Sequence, residues 1–176
     1  MLLPHPALPA PDFSIDGELA FAGGELTIRY AVRGDLARLR LPPPSAPTAA
    51  DGLWQHLCLE LFVADGEGGG YREFNFSPSS QWASYAFTDY RVRDQGAAAV
   101  PAPAIDCRRL PGALELRARL SLVGRGPGEG RPCRFAVAAV LEECDGRLSW
   151  WALHHPAGRP DFHHRDAFVL SLTERP

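Results

Sequence analysis

The fold class is decided by two stretches, LWQHLCLELFV at residues 53–63 and YREFNFSPSSQWASYAF at residues 71–87. In the first stretch the apolar residues of one parity are Leu57, Leu59, Leu61 and Val63. In the second stretch Phe74 and Phe76 share a parity. Because consecutive side chains of a strand point to opposite faces, alternation with a period of two predicts two half-buried β-strands.

The same alternation recurs along the rest of the chain. It is present in Glu25–Gly34, around residues 114–122, and in a hairpin whose turn is Asp145-Gly146. Gly23-Gly24 predicts another hairpin turn, and no helical stripe longer than three turns is present. We therefore predict an all-β fold, an antiparallel, jelly-roll-like β-sandwich of eight or nine strands that forms one domain over residues 1–176.

Composition excludes several classes of partner. The chain has 176 residues, of which 45% are hydrophobic and 22% charged, and these fractions are ordinary for a globular protein. A net charge of −3 gives no cationic surface for nucleic acid, and no run of 18 apolar residues predicts a membrane span. Residues 1–10 lack the features of a secretory signal, so we expect a cytoplasmic protein. The sequence indicates no particular oligomeric state.

One face of the two deciding strands is polar. The face opposite the leucines carries Glu60, and the partner strand carries Tyr71, Glu73 and Asn75 opposite its phenylalanines. If the two strands pair with their apolar faces on the same side, these four side chains share one outer face. Aromatic rings stack on the C–H faces of sugars, while carboxylates and amides bond to hydroxyl groups. A polar outer face is also normal for an antiparallel strand, so sugar binding is a hypothesis here.

A resemblance sharpens this hypothesis. The two stretches, together with WWALHHPAGRPDFHHRDAFVLSL at residues 150–172, resemble DOMON-like domains related to family nine carbohydrate-binding modules. The resemblance implies a β-sandwich in which two tryptophans clamp a sugar. It assigns one clamp to Trp54 and a hydrogen-bonding carboxylate to Glu60. Trp54 can reach the same sugar as Glu60 only if it lies in the preceding loop and folds back, since six residues of straight strand span roughly 20 Å.

The second clamp is Trp151 in our prediction, with Trp150 on the opposite side of the same strand. His154, just beyond these tryptophans, completes the predicted ligand-binding set. The predicted function is non-catalytic binding of a carbohydrate or a similar polyol. The alternative is a structural or protein-interaction domain whose aromatic face packs against a partner.

The sequence also bears on metal binding, haem binding and catalysis. Histidines and aspartates between His154 and Asp166 are of the types that bind transition metals, but adjacent histidines of a strand point to opposite faces, so we predict no metal site. Haem, which DOMON relatives bind, needs a methionine for Met/His ligation, and Met1 is the only one. A bis-His site that uses His56 or His154 is the alternative for haem, and no motif supports it. We predict no cofactor. Glu60 and Glu73 could serve a glycosidase only at a defined separation, which nothing in the sequence sets, so we predict no enzyme.

Overall fold

The computed structural model describes residues 1–7, 12–65, 68–122 and 133–172. These residues form twelve β-strands and three short 3-10 turns, and no α-helix occurs among them. The strands are β1 (Leu3–Pro4), β2 (Phe13–Ala22), β3 (Glu25–Gly34), β4 (Cys58–Asp65), β5 (Tyr71–Phe76), β6 (Trp82–Asp89), β7 (Val92–Arg93), β8 (Ala104–Leu110), β9 (Ala113–Ser121), β10 (Cys133–Glu142), β11 (Leu148–Ala152) and β12 (Leu170–Leu172). The 3-10 turns are Leu36–Arg38, Leu53–Gln55 and Arg165–Ala167.

The strands form two antiparallel sheets. The larger sheet has the order β1-β11-β10-β4-β5-β6-β7, with β12 also paired to β10, and the smaller sheet has the order β2-β3-β9-β8. The predicted antiparallel sandwich is therefore confirmed. Nine of the strands in the described ranges are five residues or longer, and the other three, β1, β7 and β12, are very short.

The core lies between the two sheets, because each sheet turns its apolar parity inward. The inward residues of β4 and β5 include Leu59, Leu61 and Phe74, and β3 contributes Tyr30. The buried hydroxyl of Tyr30 donates to the backbone carbonyl of Glu60 at 2.6 Å, so this polar group has a partner. That hydrogen bond fixes the smaller sheet to β4, the strand that carries Glu60.

Turn residues set the hairpins where the sequence predicts them. Gly23 and Gly24 have φ of 58° and 76°, as the two central positions of a type I′ turn require, and they join β2 to β3. Asp145-Gly146 lies in the turn between β10 and β11. Strand β8 was not predicted. The glycine-rich turn predicted at residues 124–130 lies outside the described residues, as does part of the one predicted at residues 66–70.

A covering segment, residues 153–169, lies over the outer face of the larger sheet. Its Phe162 and Phe168 contact Phe62 of β4, with ring centroids 6.5 and 6.2 Å apart. Tyr71 joins this second apolar cluster and stacks on Phe87 at 4.6 Å. The outer face of the larger sheet is therefore partly covered by an apolar cluster, while Glu60, Glu73 and Asn75 of the same face are polar. Within the described ranges, no helix is long and apolar enough to cross a membrane.

Candidate functional site

The strand register brings the predicted polar side chains together. Glu60 of β4 lies directly opposite Asn75 of β5, and Glu73 lies diagonally from Glu60, opposite Phe62. Tyr71 follows on the same face, opposite Ala64. All four side chains lie on the outer face of the larger sheet, in its middle, because β4 and β5 are central strands.

A depression of about 350 Å³, here called the outer-face depression, opens over this part of the sheet. Its lining combines aromatic rings, two carboxyl groups and two guanidinium groups: Trp54, Glu60, Glu73, Phe87, Arg91, Arg93, Val140, Trp150, Pro160, Phe162 and His163. The residue of β10 opposite Glu60 is Ala138, and the residue of β11 opposite Ala138 is Ala152. These small side chains leave space above Glu60 that larger residues would fill.

Trp54 reaches the depression from the 3-10 turn Leu53–Gln55, immediately before β4. It is 47% exposed and lines the same depression as Glu60, as a side chain that folds back from the preceding loop would. Gly52, the residue before this turn, has a φ of 74°, a value that favours glycine. Its amide donates to the Tyr85 hydroxyl at 3.3 Å.

Two side-chain contacts hold this turn in place. The Tyr85 hydroxyl donates to the carboxylate of Asp51, just before the turn. After the turn, Nδ1 of His56 lies 2.9 Å from the carboxylate of Glu142 on β10. The indole of Trp54 is therefore presented to solvent from a backbone that is fastened on both sides.

Trp151, the predicted second clamp, is buried and cannot contact a ligand. Trp151 is only 2% exposed and lies in the core between the sheets, where its indole N–H donates to Oγ of Ser149 at 2.9 Å. Trp150, of the opposite parity, faces outward and lines the depression. The prediction was wrong because strand parity allows one of two adjacent tryptophans on each face, and the sequence around β11 does not say which one is inside.

The two glutamates are buried without a neutralising partner. Glu60 is 3% exposed, and its carboxyl group has no hydrogen-bond partner among the described residues. Burial raises the pKa of Glu60 well above its usual value, and the nearby Glu73 carboxyl raises it further. Burial also raises the pKa of Glu73, although a hydrogen bond from Asn75 and the charges of Arg93 and Arg91 partly oppose it.

Asn75 acts mainly as a partner of Glu73. Its Nδ2 donates to Oε1 of Glu73 at 2.8 Å, whereas its Oδ1 is fully buried and accepts no hydrogen bond from the described residues. Glu60 and Glu73 therefore present carboxyl oxygens to the depression, whereas the buried Oδ1 of Asn75 is not accessible to a ligand. Such a surface is suited to a ligand that brings hydrogen-bond donors.

His163 of the covering segment closes one side of the depression. Its Nδ1 lies 2.7 Å from the Tyr71 hydroxyl, which itself accepts the Arg91 amide at 3.1 Å. The Tyr71 hydroxyl can therefore donate its own proton to Nδ1 of His163. In this tautomer the imidazole proton is on Nε2, which lies 3.8 Å from Oε2 of Glu73. Burial, followed by the charge of Arg91, lowers the pKa of His163 to about 4, so the ring is neutral at pH 7.

Asn75 and Tyr71 contact Glu73 and His163 of the lining, respectively, but do not line the depression themselves. The remaining predicted ligand-binding residue, His154, is not brought into the site. It is exposed just beyond the end of β11 and does not line the depression. The neighbouring histidines make other contacts: His155 bonds the Leu3 carbonyl, and His164 accepts the Asp166 amide at the 3-10 turn. In the described part of the chain, no group of three potential metal ligands converges.

Two larger depressions are less suited to a ligand. One, of about 470 Å³, lies on the outer face of the smaller sheet, where Arg33 pairs with Asp16 and Arg108 with Asp106. This is a solvated surface of mixed charge. The other, of about 490 Å³, lies along β6 and is lined by alanines such as Ala97 together with Trp82 and Tyr85.

Comparisons with known proteins agree with the fold. No protein-family model matches the sequence, and no curated protein matches it either. A solved structure of a candidate carbohydrate-binding protein from Bacteroides uniformis is similar, with a TM-score of 0.66 and 15% identity over 89% of this chain and 76% of that one.

Two structures of a family 9 carbohydrate-binding module from Caldicellulosiruptor kristjanssonii are also similar. The complex with glucose has a TM-score of 0.57 and 12% identity, over 85% of this chain and 71% of that one. The complex with cellotriose has a TM-score of 0.53 and 13% identity, over 85% and 70%. At these identities the likeness shows that the chain has the sandwich fold of these proteins.

Proposed function

We propose that the chain binds a sugar in the outer-face depression and does not catalyse a reaction on it. The observation that carries the proposal is the lining: two tryptophans, Trp54 and Trp150, reach the same depression as a buried carboxyl group that has no donor from the described protein. Indole rings stack on the C–H faces of a sugar, and Glu60 accepts from its hydroxyl groups.

The structural neighbours support this proposal. Two of them were solved with glucose or cellotriose bound, and they share the sandwich fold with this chain. A DOMON-like relationship, which the sequence resemblance implies, remains a prediction. The preference for a carbohydrate over another polyol follows from the two indoles, since a linear polyol offers no flat ring face for stacking.

The test is binding to a panel of monosaccharides, oligosaccharides and linear polyols, measured by a glycan array and by calorimetry. The wild-type chain should bind at least one sugar, and Trp150→Ala should weaken that binding. Leu110→Ala, which removes an exposed apolar side chain outside the depression, should have no effect.

Two results would contradict the proposal. Absence of binding to every sugar, with self-association in sedimentation, would instead favour the protein-interaction alternative. Hydrolysis of the bound oligosaccharide, detected by mass spectrometry, would show that Glu60 and Glu73 act as a catalytic pair.

A further inference from the structure

We propose that the outer-face depression prefers a sugar carrying a protonated amine, an amino sugar, over the neutral sugar of the same stereochemistry. The inference rests on the proposed function, because it names the ligand class of the same depression. It is argued from which charges face the depression and from how many hydrogen-bond donors the protein supplies there.

The carboxyl groups of the depression lack a cationic partner. Within the described residues, no basic side chain lies at ion-pair distance from Glu60, and Glu73 has only Nε2 of His163, at 3.8 Å. The chain contains no lysine that could supply a charge. A buried carboxylate without a paired cation is costly, and burial is the main cause of the raised pKa of both glutamates, although Asn75 donates a hydrogen bond to Glu73.

The guanidinium groups that line the same depression partly oppose the raised pKa of Glu73, but within the described residues they form no ion pair with either glutamate. Nη2 of Arg91 pairs with Asp161 at 2.9 Å, and the guanidinium of Arg93 lies 4.0 Å from the ring centroid of Tyr85. His163 contributes no charge at neutral pH, since its pKa is about 4. Two carboxyl groups of the depression therefore face one guanidinium group, that of Arg93, which pairs with no carboxylate of the described residues, and the depression favours an added positive charge.

An ammonium group supplies both the positive charge and the several hydrogen-bond donors that the depression lacks. Both oxygens of the Glu60 carboxyl group accept no hydrogen bond from the described residues, and Oε2 of Glu73 has only the distant His163. An ammonium group has three donors and no acceptor, whereas a hydroxyl group has one donor. Its hydrogen bonds to carboxylates are charge-assisted and are therefore stronger than those of a hydroxyl group.

The test compares matched sugar pairs that differ only in the group at C2: glucose with glucosamine, galactose with galactosamine, and mannose with mannosamine. Affinities are measured by calorimetry at about pH 6.5, where amines of this type are mostly protonated. For each pair that binds, the amino sugar should bind about tenfold more tightly, which is the gain expected when a neutral hydrogen bond becomes charge-assisted.

Two variants separate the local effect from general electrostatics. Glu60→Gln keeps the shape of the side chain but cannot ionise beside an ammonium group, and it should reduce the preference for the amine to near unity. Glu18→Gln makes the same change of charge on an exposed residue of β2, on the other sheet, and should leave the preference intact. N-acetylglucosamine, whose nitrogen is uncharged, should bind no better than glucose.

The outcomes distinguish this inference from the proposed function. If neutral sugars bind as tightly as their amino counterparts, or if the preference survives Glu60→Gln, the inference is overturned while sugar binding stands. If no sugar of any pair binds, the inference is overturned, and the proposed function fails as well when the oligosaccharides of the panel do not bind either.

Discussion

Replacing Trp54 with alanine removes an indole that the fold presents to solvent at the outer-face depression. The residue is 47% exposed, so of roughly 250 Å² for the largest aromatic side chain, about 120 Å² is open to a ligand. A sugar stacked on one face covers about half of this area and hides a similar area of its own, which at roughly 25 cal/mol per Å² corresponds to about 3 kcal/mol. We expect Trp54→Ala to weaken sugar binding roughly 100-fold.

The fold should tolerate the same change. Trp54 belongs to neither apolar cluster, so its truncation should alter the free energy of unfolding by less than about 1 kcal/mol. Calorimetric titration with the tightest sugar of the panel measures the affinity, and urea denaturation of the same samples measures stability. Unchanged affinity would refute stacking on Trp54, and a stability loss of several kcal/mol would show that this residue is part of the core.

Three other substitutions test the account through stability. Trp151→Ala should cost about 3–5 kcal/mol in urea denaturation, because it empties a core position; a loss as small as that of Trp54→Ala would place Trp151 outside the core. Glu60→Gln should weaken sugar binding and yet stabilise the fold at neutral pH. The raised folded-state pKa of Glu60 means that wild-type stability falls as pH rises from about 4.5 through that pKa, so the advantage of the variant must grow across this window and vanish at lower pH. His163 has the opposite sign: its folded-state pKa of about 4 lies below the usual 6.5, so the unfolded chain binds more protons between these values. Relative to His163→Gln, the wild type should lose up to about 3 kcal/mol as pH falls through this window, and parallel pH profiles of the two proteins would contradict the assignment.

The sandwich could be predicted from the sequence because its signal is local. Alternation in β3, β5 and β9 marks which face of each strand is apolar, and turn residues such as Gly23-Gly24 mark where the chain reverses. Strand β8 was missed, since its sequence Ala104–Leu110 is half polar and mostly exposed at a sheet edge. Only Ile105 and Cys107 of this strand pack against the core, and both are only partly buried, so the apolar alternation is too short to mark a strand.

The candidate site could be predicted only in part. Glu60, Glu73, Tyr71 and Asn75 share a face because parity and pairing of two neighbouring strands place them there. Arg91, Arg93 and His163 line the depression because a turn and the covering segment fold over the sheet. The periodicity of apolar residues in the sequence does not predict how these segments fold. To choose between Trp150 and Trp151 one must know which parity of β11 faces the core. The two flanking residues, Ser149 and Ala152, do not indicate this.

The central claim, that a sugar binds between residues of the outer-face depression, is tested most directly by the indole N–H resonances. The chain has four tryptophans, so a ¹⁵N-correlated NMR spectrum shows four such signals, which single substitutions assign. On titration with the tightest sugar, the signals of Trp54 and Trp150 should shift with one common affinity, while the signal of the core residue Trp151 stays in place. Shifts confined to Trp82, which lines the depression along β6, or no shift in any indole signal, would contradict the claim.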